Sequence, residues 1–208
     1  SMELWGPLID PSNENFEQVW ERFGQGFKAT IVAAVLSIIC SLLVGSALAV
    51  LRVQLRAVHT VPGVQVLISA LNWITRICVE VFRGIPVVIT IFFVWVGLNK
   101  VGAKDLVISL SSIGMDDLVI SNLLYSLVIG LTIYNSVVIG EILRSGMEGL
   151  PRGQREAADA IGLSTFQTIR LVLLPQAYRI MLPALISQLV VVLKDTSLGF
   201  LITYEEIL

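Results

Sequence analysis

The 208-residue chain is 55% hydrophobic and 14% charged, with a mean hydropathy of +0.84. Ordinary soluble domains carry about 25% charged residues, so this composition excludes that class and points to an integral membrane protein. The formal net charge of −2 argues neither for nucleic acid nor for an acidic partner, which leaves charge placement as the informative quantity.

Phe16, Trp20, Phe23 and Phe27 recur at helical spacing with Glu17, Glu21 and Arg22 between them. This predicts an amphipathic helix on the outer membrane surface, and sets residues 1–28 apart from a transmembrane domain over 29–208. The first 28 residues are acidic and have no basic head leading into an apolar core, so no cleavable leader is expected. Ala29 to Leu51 carries no charge, and as a helix it reaches roughly 35 Å, enough to cross the hydrocarbon. Gly45 and Ala49, four apart on it, form a small-residue face suited to close helix packing. Cys40 and Cys78 fall in apolar segments without metal-ligand or redox spacing and read as small buried hydrophobes.

Val64 to Leu98 is largely apolar but contains Arg76, Glu80, Arg83, Gly84 and Pro86. It reads as a leading helix, a break and a spanning helix. Glu80 and Arg83 stand at pairing distance on a helix. Alternatively, Gly84 and Pro86 free backbone groups at the break, as in transporters that present half-helix ends to charged substrates, and Arg83 there meets a carboxylate. A third uncharged run extends from Leu118 to Gly140 and is followed by Glu141 and Arg144. Asn135 within it is either interhelical glue or a substrate contact, because lipid offers an amide no partner. The last visible span begins near Pro175 and carries Ile180 to Leu193 before Lys194 and Asp195, which read as an interface pair or as a gate.

Orientation follows from arginine. Arg52 and Arg56 follow the first span, and Arg144, Arg152, Arg155, Arg170 and Arg179 lie between the third and fourth, so both connectors are expected in the cytoplasm. The N-terminus and Asn99 to Asp117, rich in acidic residues, then face outward.

The polar segment from Gly149 to Pro175 has the most specific pattern. Gln154 to Ile161 favours helix apart from Asp159, and Gly162 supplies a left-handed closing residue. Ser164 and Gln167 hold the N-cap and N3 places of a capping box, and Phe166, Ile169, Val172 and Leu173 follow at helical spacing. Two short helices with a forced bend result. Ala157, Ala158 and Ala160 thin the first, while Arg152, Arg155, Glu156 and Asp159 supply charged anchors, as a docking knob requires. A DNA-reading helix-turn-helix fits poorly, since the second helix runs straight into an apolar span.

The spacing Glu156-Ala157-Ala158, three residues, Gly162, nine residues, Val172-Leu173-Leu174-Pro175 resembles the cytoplasmic loop of bacterial ABC importer permeases. Val172 stands where that pattern has isoleucine. VEVFRGIP (Val79 to Pro86), NSVVIGEILRSGMEGLPRGQ (Asn135 to Gln154), LLPQAYRIMLPAL (Leu173 to Leu185) and LKDTSLGFLITYEE (Leu193 to Glu206) are similar to the polar amino-acid subfamily, which includes histidine, glutamine, glutamate and arginine importers. The resemblance runs from about Phe23 onward. It implies an all-α polytopic bundle of the type I importer kind, with about four spans visible and a fifth expected beyond Leu208. It also implies that Arg155, Glu156, Ala157, Ala158, Asp159, Gly162, Leu163, Leu174 and Pro175 couple to an ATPase.

The chain has no Gly-rich loop ending in Gly-Lys-Ser or Gly-Lys-Thr, no zinc spacing, and His59 as its only histidine. No catalytic or metal-binding residue is therefore assigned, and ATP and Mg are expected on a separate ATPase pair. The other expected partners are a second permease subunit, identical or related, an external or periplasmic amino-acid-binding protein, and the lipid of the bacterial cytoplasmic membrane. Nucleic acid is not among them. An ion-gradient transporter or a membrane scaffold would lack the ATPase. For the pathway, Arg83, Gly84, Pro86, Asn135, Glu141, Lys194 and Asp195 are the candidates. Arg83 and Lys194 favour an acidic amino acid, Glu141 and Asp195 a basic one, and overall likeness leans toward glutamate, glutamine or aspartate.

Overall fold

In the computed structural model, residue 10 and residues 14–57, 62–108 and 118–202 are described. The end of the Leu193 to Glu206 motif at 203–206, His59, and residues 109–117 of the outward segment fall outside them. Helix α1 (Phe16–Ala57) is followed by α2 (Pro62–Gly84) and α3 (Val87–Lys100), then by strands β1 (Leu106–Ile108) and β2 (Leu118–Ile120). After α4 (Asn122–Glu148) and α5 (Arg152–Ala160) come the short α6 (Thr165–Gln167), a π-helical stretch (Thr168–Leu173), α7 (Leu174–Ile180), α8 (Leu182–Asp195) and a 3₁₀ stretch (Thr196–Ile202).

The all-α bundle expected from the sequence is present. Among the described residues, Phe16–Arg56, Asn122–Glu148 and Leu182–Gly199 are long and apolar enough to cross a membrane, and Val66–Gly84 with Val87–Lys100 forms a fourth, bent pair. The bend of 101° falls at the predicted break. Pro86 has no N–H for the Phe82 carbonyl, so the helical ladder stops and restarts. Three boundaries differ from expectation. From Phe16 onward no break at residue 28 precedes the first span, because nothing around Lys28 interrupts a helix. Phe16, Trp20 and Phe23 instead stack along the start of the 42-residue α1, with ring centroids 6.2 and 6.1 Å apart. Leu118 to Ile120 pairs with Leu106 to Ile108 as an antiparallel ribbon rather than beginning the third span. That helix starts after Ser121, whose hydroxyl accepts from the Leu124 N–H at 3.1 Å as its N-cap. The fourth span starts at Leu182, since Pro183 forces a turn at Met181.

Helix α4 is the hub. It runs parallel to α1, as the matched advance of Gly45 against Ser136, Ala49 against Gly140 and Arg52 against Glu141 shows. The crossing is close because the predicted small residues meet there: a Cβ added to Gly45 would lie 2.8 Å from Ile139 and 2.9 Å from the Ser136 carbonyl. Helix α3 returns antiparallel, with Ile91 against Gly130 and Asn99 bonded to Asn122 at 2.8 Å. Two apolar clusters result. Ala33, Ile91, Leu127 and Leu131 fill one end, and Ala49, Val53, Leu143, Met147, Ile169 and Leu173 fill the other. Outward faces are apolar too, with Leu43, Phe93 and Trp73 exposed, as a lipid surround permits. Cys40 is half-buried and Cys78 is exposed. The expectation that both are buried fails at Cys78, because an apolar residue on a membrane helix need not face its own chain.

Candidate coupling site

The site is built on the second apolar cluster. Helix α5 spans nine residues and ends as its sequence demands. Gly162 adopts φ +81°, its N–H bonds to the Asp159 carbonyl at 3.0 Å, and the Leu163 N–H reaches the Ala158 carbonyl at 3.1 Å. This is a Schellman closure, in which a left-handed residue lets the chain satisfy the last helical carbonyls. The capping box follows: the Ser164 N–H donates to Gln167 Oε1 at 2.9 Å, and the Gln167 N–H donates to Ser164 Oγ at 3.4 Å. The π-helical stretch comes just before Pro175, with the Leu174 N–H bonded back to the Ile169 carbonyl. Such a widened turn accommodates a ring that would crowd the preceding turn of a regular helix.

Only Ala158 of α5 is buried, while Glu156, Ala157, Asp159 and Ala160 are exposed. Leu163 and Leu174 are half-buried and Pro175 is exposed. The knob therefore presents charge and small side chains outward while α5 packs against the π-helical stretch, whose Ile169 and Leu173 belong to the second apolar cluster. Gln176 Nε2 donates to Gln154 Oε1 at 3.0 Å, tying α5 to α7. Between α5 and the end of α4 lies a hollow of about 380 Å³, whose lining includes Glu148, Arg152, Arg155, Glu156 and Asp159.

Charged side chains join the C-terminal ends of α1 and α4. Arg52 Nη1 donates to Glu141 Oε2 at 2.5 Å, and Arg144 grips the same carboxylate through Nη2 at 2.5 Å and Nε at 3.0 Å. Arg144 also pairs with Glu148, which accepts from Arg56 Nη1 at 2.7 Å. Arg52 is nearly buried, with its side chain 7% exposed. Removing one partner from such a pair costs roughly 3–5 kcal/mol, because a buried charge is stranded. Arg52, Arg56 and Glu148 were not singled out as site residues in the sequence; the bias of arginine toward one side of the membrane marked the two arginines, and nothing marked Glu148.

The structure does not bring the pathway candidates into one cavity. Asn135 is fully buried, donates to the Leu131 carbonyl at 2.9 Å and accepts from Gln188 Nε2 at 2.7 Å, so it bonds α4 to α8. Glu141 belongs to the arginine network. Lys194 is exposed and Asp195 half-buried, and among the described residues neither joins an ion pair. The same holds for Glu80 and Arg83, both exposed on α2. Gly84 and Pro86 do line a hollow of about 530 Å³ with Phe82, Ile89, Phe93 and Ile133. Its walls are apolar, and Arg83 is not part of them.

The profile of the family described as binding-protein-dependent transport system inner membrane components matches residues 67–205. A glutamate transport system permease protein of Corynebacterium glutamicum is 38% identical over 98% of this chain, which spans 63% of that relative's length. A probable glutamine ABC transporter permease of Bacillus subtilis is 34% identical over 95% of this chain and 76% of its own. Among solved structures, an inward-facing methionine ABC transporter superposes with a TM-score of 0.70 at 20% identity, over 91% of this chain and 78% of that one, a likeness of fold. The order of spans, the capped hairpin between the third and fourth, and these matches lead to one assignment: the chain belongs to the family of binding-protein-dependent transport system inner membrane components.

Proposed function

We propose that this chain is the membrane-spanning subunit of an ATP-driven amino-acid importer. Two such subunits, identical or related, enclose the pathway. A separate pair of ATPase subunits, which would hold ATP and Mg, drives them from the cytoplasm, and an external binding protein delivers the substrate. The observation that carries this reading is the presentation of α5, a nine-residue helix exposed on every residue but Ala158 and half-buried Arg155, and packed against the π-helical stretch whose Ile169 and Leu173 join the apolar cluster at the end of α4. A partner gripping Glu156 and Asp159 would thereby move the spans beneath. ATP-driven closure of the ATPases would bring two such knobs together and shift the subunits between inward-open and outward-open states.

The N-terminus is assigned to the outside, which is supported by Arg52, Arg56 and Arg144 meeting at one end of the bundle beside Arg152 and Arg155. Glutamate, glutamine or aspartate is the substrate class we favour, because the relatives at 38% and 34% identity carry glutamate and glutamine in their names.

Reconstitution with the ATPase and binding protein tests the reading. Glu156→Lys should leave membrane insertion intact and lower substrate-stimulated ATP hydrolysis by about tenfold or more, the scale of a strong coupling between sites. Normal uptake by that variant would sink the coupling assignment. Stimulation by each amino acid in turn, measured with the wild-type complex, identifies the cargo.

A further inference from the structure

Helices α1 and α4 meet along a seam of small side chains. Ser37, Ser41 and Ala49 are fully buried on α1, and a Cβ added to Gly140 would lie 3.1 Å from the Gly45 carbonyl. The seam is close but offers little direction. The hydroxyls of Ser37 and Ser41 are buried without hydrogen-bond partners, so the seam is held by shape alone. Directional contact between the two helices is concentrated at their C-terminal ends, in the Arg52, Glu141, Arg144, Glu148 and Arg56 network.

We propose that this network is a latch that holds α1 in register with α4, so that a displacement of α5 carries both spans as one body. The inference rests on the coupling role proposed for α5. Three observations support it. The Glu141 carboxylate is held by two arginines at once, which sets its position along and across the helix pair. Arg52, with its side chain 7% exposed, cannot exchange Glu141 for water, so a slide of one helical turn, about 5.4 Å, would strand its charge. Glu148, the last residue of α4, also lines the hollow with Arg152 and Glu156, which places the final rung four residues before α5 begins. The ladder therefore extends from a buried pair between two spans to the edge of the coupling knob.

The test uses the full complex of permease, ATPase and binding protein in vesicles, and reads substrate transported per ATP hydrolysed. Arg52→Gln should retain the ATPase subunits and their hydrolysis while transport per ATP falls by about tenfold. The same variant is then combined with Arg56→Cys and Glu148→Cys, with Cys40 and Cys78 changed to Ser. Bridging the two new thiols with a short bifunctional reagent should restore most of the lost transport per ATP, a recovery that general destabilisation would not give. Wild-type transport per ATP in Arg52→Gln, or a bridged variant that stays uncoupled, would overturn the latch. A wild-type complex that imports without hydrolysing ATP would overturn the functional reading instead. If Arg52→Gln fails to assemble, Arg56→Gln on the exposed rung serves in its place, with an expected loss of about twofold to threefold, the smaller coupling of an exposed pair; an unchanged ratio there also overturns the latch.

Discussion

The end of the bundle that carries α5 and the α2 arm differ in how they are held. At the α5 end, a capping box, a Schellman turn, the arginine ladder and the Ser46 to Tyr178 hydroxyl contact at 2.5 Å hold α1, α4, α5 and α7 in defined relations. The α2 arm exposes Val66, Leu67, Trp73 and Val81, and among its described residues Glu80 and Arg83 form no ion pair. Directional bonds therefore collect where force is proposed to enter. The arm has faces that only lipid or another subunit can complete, because apolar helix faces gain nothing by meeting within a single chain when the solvent is itself apolar.

Glycine substitutions break this comparison most sharply. Gly45→Leu drives a side chain into Ile139 and the Ser136 carbonyl, starting from 2.8 and 2.9 Å, and should cost at least about 1–3 kcal/mol by overpacking. Purified in detergent, it should melt several degrees lower or fail to assemble. Gly84→Ala meets nothing within 4 Å and should leave the melting temperature nearly unchanged. Equal losses at both sites would show that the arm is as tightly packed as the seam.

Asn135→Leu comes next. It leaves the Gln188 amide without its acceptor and should cost about 1–3 kcal/mol. If Asn135 serves only to join α4 and α8, the ranking of amino acids by transport stays unchanged; a reordered ranking would place the residue in the pathway. Ser164→Ala is the mildest of the three. Loss of the N-cap bond should cost about 1 kcal/mol locally and loosen the turn after α5. Faster amide exchange confined to residues 164–168 is the expected signature, and a change spread through α4 would contradict it.

Legibility in the sequence followed the range of the contacts. The bend after Ile161, the left-handed Gly162 and the Ser164 to Gln167 box were all readable because each depends on residues at most five apart. The break at Gly84 and Pro86 was readable for the same reason, but its angle of 101° was not. The β1 and β2 pair was missed because Leu118 to Ile120 adjoins an apolar helix and was absorbed into its hydrophobic run. Only its pairing with an identical Leu-Val-Ile tripeptide reveals the strand. Glu141 was read as a pathway group and Asn135 as either glue or a contact. Their partners, Arg52 at 89 residues and Gln188 at 53 residues, cannot be inferred from spacing along one helix.

Composition and local pattern by themselves determined that the chain lives in a bilayer, that the second apolar stretch breaks at Gly84 and Pro86, and the form of the exposed hairpin between the third and fourth spans. Those features arise from hydropathy, backbone conformation and hydrogen bonds within a turn or two. Tertiary structure alone decided that α1 runs parallel to α4, that their glycines touch, and that Arg52 pairs with Glu141. In an apolar medium burial of hydrophobic surface scarcely distinguishes one helix pairing from another, so shape at the small residues and the matching of a few polar groups choose the arrangement.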